Sequence, residues 1–442
     1  MIQKLTAWIG IAVFVVSLTG DALAEERDGN DGGARATATE RAKDAWRALE
    51  RHFGVVGPGY PNVFAYLRPK PPQGELRPSL PPVPNYVWPQ GQVVRAALNL
   101  AKLTGDYDDF SRTVGTLSRY LLSNHGTTGY APIIDAAGRN SPPVRWWDDN
   151  GVTALVLLQG NAQVPGAGYL QAVHKLWPFF LAGQWPGGGQ RENEARFGQA
   201  ISLGATASDD QSVERLYLAT NAQDPQHANF LNFALANDAR IKKTLRAPGG
   251  LYWGAYYPNI QTSKFKWCDG TVWAHGVCSG TWWACNPNRK DLPPPQQLPP
   301  TPHVCAWMFD YNQGLMIGSD VLLYRITRNA SYLQSATRTA NAALDYYTLD
   351  RLWAEPSWFN ADYFVALFQL DYYAPNPRIR AALDAYLKRA WNEGRDPETG
   401  LFNRGGIGYY DHKAGFSSLD QAAFPIMFSL LAWPRESLPD LY

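Results

Sequence analysis

The sequence predicts an all-α chain folded as an (α/α)6 barrel, a toroid of six helical hairpins. Helical periodicity recurs from residue 39 to residue 432, while almost no segment alternates with period two. A weak internal repeat joins helix to helix: LAKLTGDYDDFSR, LLQGNAQVPGAGYLQAV, LYLATNAQDPQHANFL and LYRITRNASYLQSA are each a helix end, a short polar turn and a new helix. These turns, with one more, fall near residues 105, 162, 222, 329 and 375. That spacing suits helical hairpins plus loops and exceeds the roughly 34 residues of a tetratricopeptide repeat. Finally, the connections alternate between short and long.

In chain order, the first helix is expected near 39–53 and is followed by a long connection, 54–90. Helices near 91–105 and 106–122 meet at the first tight turn, and 123–148 leads on from them. Helices near 149–162 and 167–183 form the next pair, followed by the connection 184–198. The third pair, 199–221 and 225–245, precedes the longest connection, 246–309. Then come 310–328 with 331–349, the connection 350–358, 359–374 with 376–393, the connection 394–417, and a last helix at 418–432. In an up-down arrangement, alternate connections lie at opposite ends. Every long connection therefore shares one end, where the inner helices have their N-termini, and loops longer than a simple link are usually functional. A funnel is expected to open there.

The chain has 442 residues, enough to bury a large core in one big domain. Residues 39–442 are expected to form that single domain, with a Cys/Pro-rich insertion at 246–309. Forty Lys and Arg stand against 39 Asp and Glu, so the net charge of +1 gives no reason to expect nucleic acid or an anionic membrane surface as partner. Residues 1–24 read as an export signal: Lys4, an apolar run from Leu5 to Leu18, and the cleavage site Ala22-Leu23-Ala24. A secreted or periplasmic chain with no membrane contact after cleavage is expected, with a polar, flexible lead-in at 25–38. Cys268, Cys278, Cys285 and Cys305 all fall in the insertion and, in an oxidising compartment, read as two local disulfides of unassigned pairing. No C-x-x-C spacing supports zinc, and no Ser-His-Asp elbow, phosphate loop or H-E-x-x-H motif is present.

Aromatic residues make up 13% of the chain, with 17 Trp and 23 Tyr, a surplus that suits a groove stacking flat rings on sugars. Three Asp-Asp pairs occur. Asp108-Asp109 lies in a first helical turn on the tight-turn face, where the helix dipole favours negative charge. Asp209-Asp210 falls midway along an inner helix, where Asp210 shares a face with Glu214 and is a candidate for substrate contact. Asp148-Asp149, in PPVRWWDDNGVT, opens an inner helix on the long-loop face, behind Trp146 and Trp147 as a stacking surface and before Asn150. Two carboxyls this close do not ionise independently, so one pKa rises. One charged and one protonated carboxyl is what glycoside hydrolysis needs.

RWWDDN followed far downstream by FDYNQGLMIGSDVLLYRITRNASYLQSA resembles glycoside hydrolase family 76, the endo-α-1,6-mannanase family. GQWPGGG, at 183–189, resembles its glycine-rich loop, and WNEGRDPETGLFNRGG its tail, so the likeness spans roughly residues 85–433. The resemblance implies an (α/α)6 barrel, retaining cleavage inside α-1,6-linked mannan, and no metal or organic cofactor. It implies Asp148 as nucleophile and Asp149 as general acid/base, with Tyr311, Asn312 and Gln313 reaching the substrate. Trp185 and the run containing Gly188 would wall the cleft. The expected partner is a polysaccharide or oligosaccharide substrate, met by a monomer. Transglycosylation through the same intermediate, or a non-catalytic glycan-binding toroid, are the alternatives.

Overall fold

The structure is a computed structural model that describes residues 21–54, 62–65, 67–68, 84–134, 140–141, 144–194, 200–258, 304–305, 308–402 and 416–441. Its helices are α1 (Asp21–Phe53), α2 (Val87–Thr104), α3 (Asp108–Val114), α4 (Trp147–Gln163), α5 (Tyr169–His174), α6 (Trp177–Gly183) and α7 (Leu203–Ala219). They continue with α8 (His227–Thr244), α9 (Asp310–Thr327), α10 (Ala330–Tyr346), α11 (Leu349–Ala354), α12 (Ser357–Tyr373), α13 (Pro377–Arg389) and α14 (Ser418–Ala432). Short strands punctuate the connections: β1 (Leu67–Arg68), β2 (Leu121–Asn124), β3 (Thr127–Tyr130), β4 (Ile133–Ile134), β5 (Asn140–Ser141), β6 (Ile201–Ser202), β7 (Ala255–Tyr256), β8 (Val304–Cys305) and β9 (Phe416–Ser417).

Six helices close a ring. α2 packs on α4, α4 on α7, α7 on α9, α9 on α12, α12 on α14, and α14 on α2. Outside it, α1 lies on α14, α3 on α2, α5 on α4, α8 on α7, α10 on α9 and α13 on α12. This is the (α/α)6 toroid that the helix count predicts. The sequences explain the two rings. An inner helix touches neighbours on all sides, and α12 is buried without interruption from Ser357 to Leu370. An outer helix buries one stripe: in α10 only Ser335, Ala336, Thr339, Ala340 and Ala343 are buried, at the three- and four-residue spacing of one face. Inner helices pass to outer ones through tight turns, such as Gly105 in the left-handed region at φ 76°, its N–H donating to the Ala101 carbonyl. The long connections all lie at the other end.

Several expectations are corrected. α1 is already helical at Asp21, the first described residue, so helix takes in the expected lead-in; a run rich in Ala, Glu and Arg sustains it despite its glycines. The helix expected over 106–122 stops at Val114 and tightens into a 3₁₀ turn (Gly115–Tyr120), where Thr116 Oγ1 and Ser118 Oγ donate to carbonyls three residues back. Then β2 and β3 form a hairpin around His125 and Gly126, both at positive φ. The helix expected over 167–183 breaks into α5 and α6 at Pro178, which has no N–H to give the preceding turn. The connection 350–358 carries the extra helix α11. Cys268, Cys278 and Cys285, and most of residues 1–24, lie outside the described residues; Cys305 lies in β8. No helix among the described residues is long and apolar enough to cross a membrane.

Candidate active site

At the end of the ring where the long connections lie, the connection 184–194 runs beside the start of α4. Trp146 is extended (φ −105°, ψ 136°) and pairs with Asn193, while the Trp147 N–H donates to the Glu192 carbonyl at 3.1 Å. Arg145 holds this junction. It is fully buried, with Nε 2.9 Å and one terminal nitrogen 2.7 Å from the two oxygens of Glu194. Its remaining donors reach the Leu122, Asn124 and Thr127 carbonyls of the hairpin at 3.0–3.1 Å. The guanidinium also lies 4.5 Å over the Phe179 ring. One cation thereby fastens the hairpin, the 184–194 connection and the residue preceding the tryptophans.

Asp148 and Asp149 occupy the first turn of α4 and are partly buried. Asp148 Oδ1 accepts the Asp149 N–H at 2.9 Å. Burial pushes the Asp148 carboxyl up to about 6, and the first-turn N–H groups hold it from rising further. Asp149 lies well above the ordinary carboxylate range, first from burial and then from the charge on Asp148. Both carboxyls are thus raised, and the charge on one raises the other, so the two do not ionise independently.

Two further carboxyls share this environment: Glu192, which the sequence does not single out, and Asp209, one of an inner-helix pair in which Asp210 is the sequence's candidate. Glu192 is raised to about 7 by burial and by Asp148. Asp209, on α7, is raised well above its ordinary value by burial and by Asp148, against a 2.5 Å hydrogen bond from Gln190 Nε2. Gly151 makes this possible. A Cβ there would stand 2.6 Å from Asp209 Oδ1, so the carboxyl presses directly on α4. At the start of α9, the partly buried Tyr311 ring stacks on Phe359 (centroids 4.2 Å apart, planes at 20°), and its hydroxyl lies against Gly204. Burial, then the charges on Asp148 and Glu192, push its phenol far above its ordinary value, so it stays a neutral donor. Deeper in the ring, Arg95 of α2 pairs with Asp362 of α12.

Other predicted residues stand elsewhere. Trp147 is core, not a platform: it is buried, stacks on Phe179 at 5.1 Å, and gives its N–H to the Phe179 carbonyl. A residue in extended backbone and its helical successor send their side chains in different directions, so only Trp146 remains partly exposed. The buried Asn150 amide donates to the Tyr130 and Trp146 carbonyls and accepts the Tyr130 N–H, which ties hairpin to helix. Gln313 does the same for the loop after α8, exchanging hydrogen bonds with the Tyr252 backbone at 2.8 and 3.0 Å. Asn312 is buried in α9. Gly188, at φ 98°, is pressed on the Ala236 carbonyl of outer helix α8, and Trp185 lies under Arg191. Asp210 faces outward too, accepting from Asn237 of α8 at 2.8 Å. Asp109, as expected, is structural: it accepts from Trp46 Nε1 at 2.7 Å.

The fold and site thus define a helical toroid whose inner N-termini gather carboxyls at the end of the ring where the long connections lie. No known family profile matches the sequence, and no curated protein matches it. Solved structures do. A family 76 glycoside hydrolase from a bovine Bacteroides thetaiotaomicron strain superposes with a TM-score of 0.66 at 18% identity, over 89% of this chain and 77% of that one. An α-1,6-mannanase of Salegentibacter sp. HEL1_6, inactivated by replacing two consecutive aspartates with alanine and bound to α-1,6-mannotetrose, gives 0.63 at 15%, over 89% and 98%. A D-mannose isomerase gives 0.58 at 13%, over 90% and 97%. The chain shares the (α/α)6 fold of the family 76 glycoside hydrolases, a fold that carries more than one chemistry.

Proposed function

We propose that the protein is a retaining, endo-acting glycoside hydrolase that cleaves α-1,6-mannosidic linkages in mannan-type polysaccharide. The observation that carries this is the pair of adjacent carboxyls Asp148-Asp149 in the first turn of an inner helix, at the end of the ring where the long connections lie. The mannanase inactivated at two consecutive aspartates supports the same reading. The Asp148 carboxylate attacks the anomeric carbon as the glycosidic C–O bond breaks, and Asp149 gives its proton to the departing oxygen. A covalent glycosyl-enzyme results. Water then attacks the same carbon as Asp149 removes one of its protons, and the bond from that carbon to Asp148 breaks to release the carboxylate. Tyr311, kept neutral, donates a hydrogen bond to a sugar oxygen, and Trp146 offers its ring to a sugar face. The signal-like residues 1–24 support an exported, soluble enzyme.

The test is release of reducing ends from α-1,6-mannan, set beside other α-mannans and α-glucans, with the anomer of the first product read by NMR. Oligosaccharides that appear first with the substrate's own anomeric configuration are expected. Tight binding across the panel with no new reducing ends overturns the proposal in favour of a glycan-binding toroid. Products longer than the substrate replace hydrolysis with transglycosylation.

A further inference from the structure

A second cavity opens on the same face as the aspartate pair, between the connection after α8 and the one after α10. It encloses about 370 Å³ and is walled by Leu251, Met308 and Ala342 on its apolar side and by Tyr346, Thr348 and Arg351 on the other. That volume falls in the range of small-ligand sites, roughly 300–1,000 Å³.

Arg351 is what sets this cavity apart. The residue is only 8% exposed, and its guanidinium lies 3.9 Å over the Tyr346 ring. Among the described residues it has no carboxylate, carbonyl or hydroxyl partner, in contrast to Arg145, whose every nitrogen is engaged. The ring face contributes about 0.5–2 kcal/mol, and the remaining donors of this largely buried side chain are open only to the cavity. The free N–H groups border the cavity. A planar fork of donors is built to hold two oxygens of one carboxylate or phosphate. The Asp345 carboxyl also lines the cavity, but it is paired with Arg378 at 2.5 Å.

We propose that this cavity is a second recognition site, taking a sugar unit that carries an oxyanion. The carboxylate or phosphate meets Arg351, and the sugar's C–H face meets Leu251, Met308 and Ala342. The site stands on the cavity and the unpartnered arginine alone; the choice of a sugar as carrier rests on the glycan-hydrolase reading. Such a site would select mannans bearing acidic substituents.

Titration calorimetry on the full chain tests this with four probes: methyl glucuronide, mannose 6-phosphate, neutral methyl mannoside and inorganic phosphate. One of the two acidic sugars is expected to bind about tenfold or more tightly than methyl mannoside, and which one it is identifies the oxyanion. Arg351→Gln is expected to remove that advantage. Thr348→Trp, at an exposed position on the cavity wall, should block binding without disturbing buried packing, and Asp148→Asn should leave binding unchanged. The proposal is overturned if neither acidic sugar outbinds the neutral one, or if Arg351→Gln and Thr348→Trp both retain binding. Loss of binding in Asp148→Asn would place the ligand in the funnel instead, and inorganic phosphate binding as tightly as the sugars would remove the glycan from the assignment. Failure of the hydrolase reading shows in a different assay, the absence of new reducing ends.

Discussion

Replacing Gly151 with alanine is expected to destabilise the protein, although it puts a better helix former inside a helix. The new Cβ would stand 2.6 Å from Asp209 Oδ1, 2.6 Å from Ser208 Oγ and 2.9 Å from the Asp209 backbone nitrogen. Ordinary contact begins at 3.4 Å, so α4 and α7 fall short of the needed room by about 0.8 Å. One obstacle is backbone and another is a carboxyl held by Gln190, so neither swings aside cheaply. Overpacking of this kind costs about 1–3 kcal/mol, and the propensity gain returns at most about 1 kcal/mol. With the full return subtracted, a net loss of up to about 2 kcal/mol remains. Gly115 is the control: it has right-handed helical dihedrals (φ −58°, ψ −26°) and nothing within 4 Å of an added Cβ. Gly115→Ala should therefore stabilise by about 0.4–1 kcal/mol. Urea unfolding of the two variants reads the opposite signs directly. Turnover should fall in Gly151→Ala alone, because the aspartate pair moves with the first turns of α4. A Gly151→Ala protein as stable as its parent, or more so, refutes the claim that Asp209 is seated directly on α4.

Asp148→Asn and Asp149→Asn should each lower kcat at least about a hundredfold, with melting temperature unchanged or raised, since each removes a carboxyl that burial penalises; calorimetry beside the reducing-end assay checks both. Activity should fall as pH drops below about 6, where Asp148 gains a proton. Stability should run the other way: with Asp148 raised to about 6 and Glu192 to about 7, the folded state binds more protons than the unfolded. Their contribution is complete below about pH 4 and is lost as pH rises through about 6 and 7, so the urea midpoint should decline across that window and decline less in Asp148→Asn; a flat or rising midpoint contradicts the assigned shifts. Arg145→Met should cost about 3–5 kcal/mol by stranding Glu194 and the hairpin carbonyls, and Glu194→Gln should cost clearly less; equal losses would show that the guanidinium is not the clamp.

Much of the ring was legible because its signals are local. Turns such as that at Gly105, and the switch between one buried stripe and burial all round, follow from neighbouring residues. The placing of Asp148 and Asp149 follows from a doublet that opens a helix after a long connection. Asp209 and Asp210 show where such reasoning stops. Both are buried, and successive helical residues point about 100° apart. In a double ring, one of those directions leads to the funnel and the other to α8, and both directions are polar. The sequence favoured Asp210, which shares a face with Glu214, whereas the carboxyl beside the Asp148-Asp149 pair is Asp209. Glu192 gave no signal, since RENE reads as a solvated charge run until the Trp146–Asn193 pairing sets it next to Asp148.

Composition and spacing by themselves determined that the chain is helical, that its long loops share one end, and that an acidic doublet begins an inner helix there. Only the closed ring decided which carboxyls meet, which tryptophan stays open, and which glycine yields room for a neighbour's side chain. The reason is physical: helix formation and turn geometry depend on residues a few positions apart, whereas a pKa raised by burial depends on groups that folding brings together from distant parts of the chain.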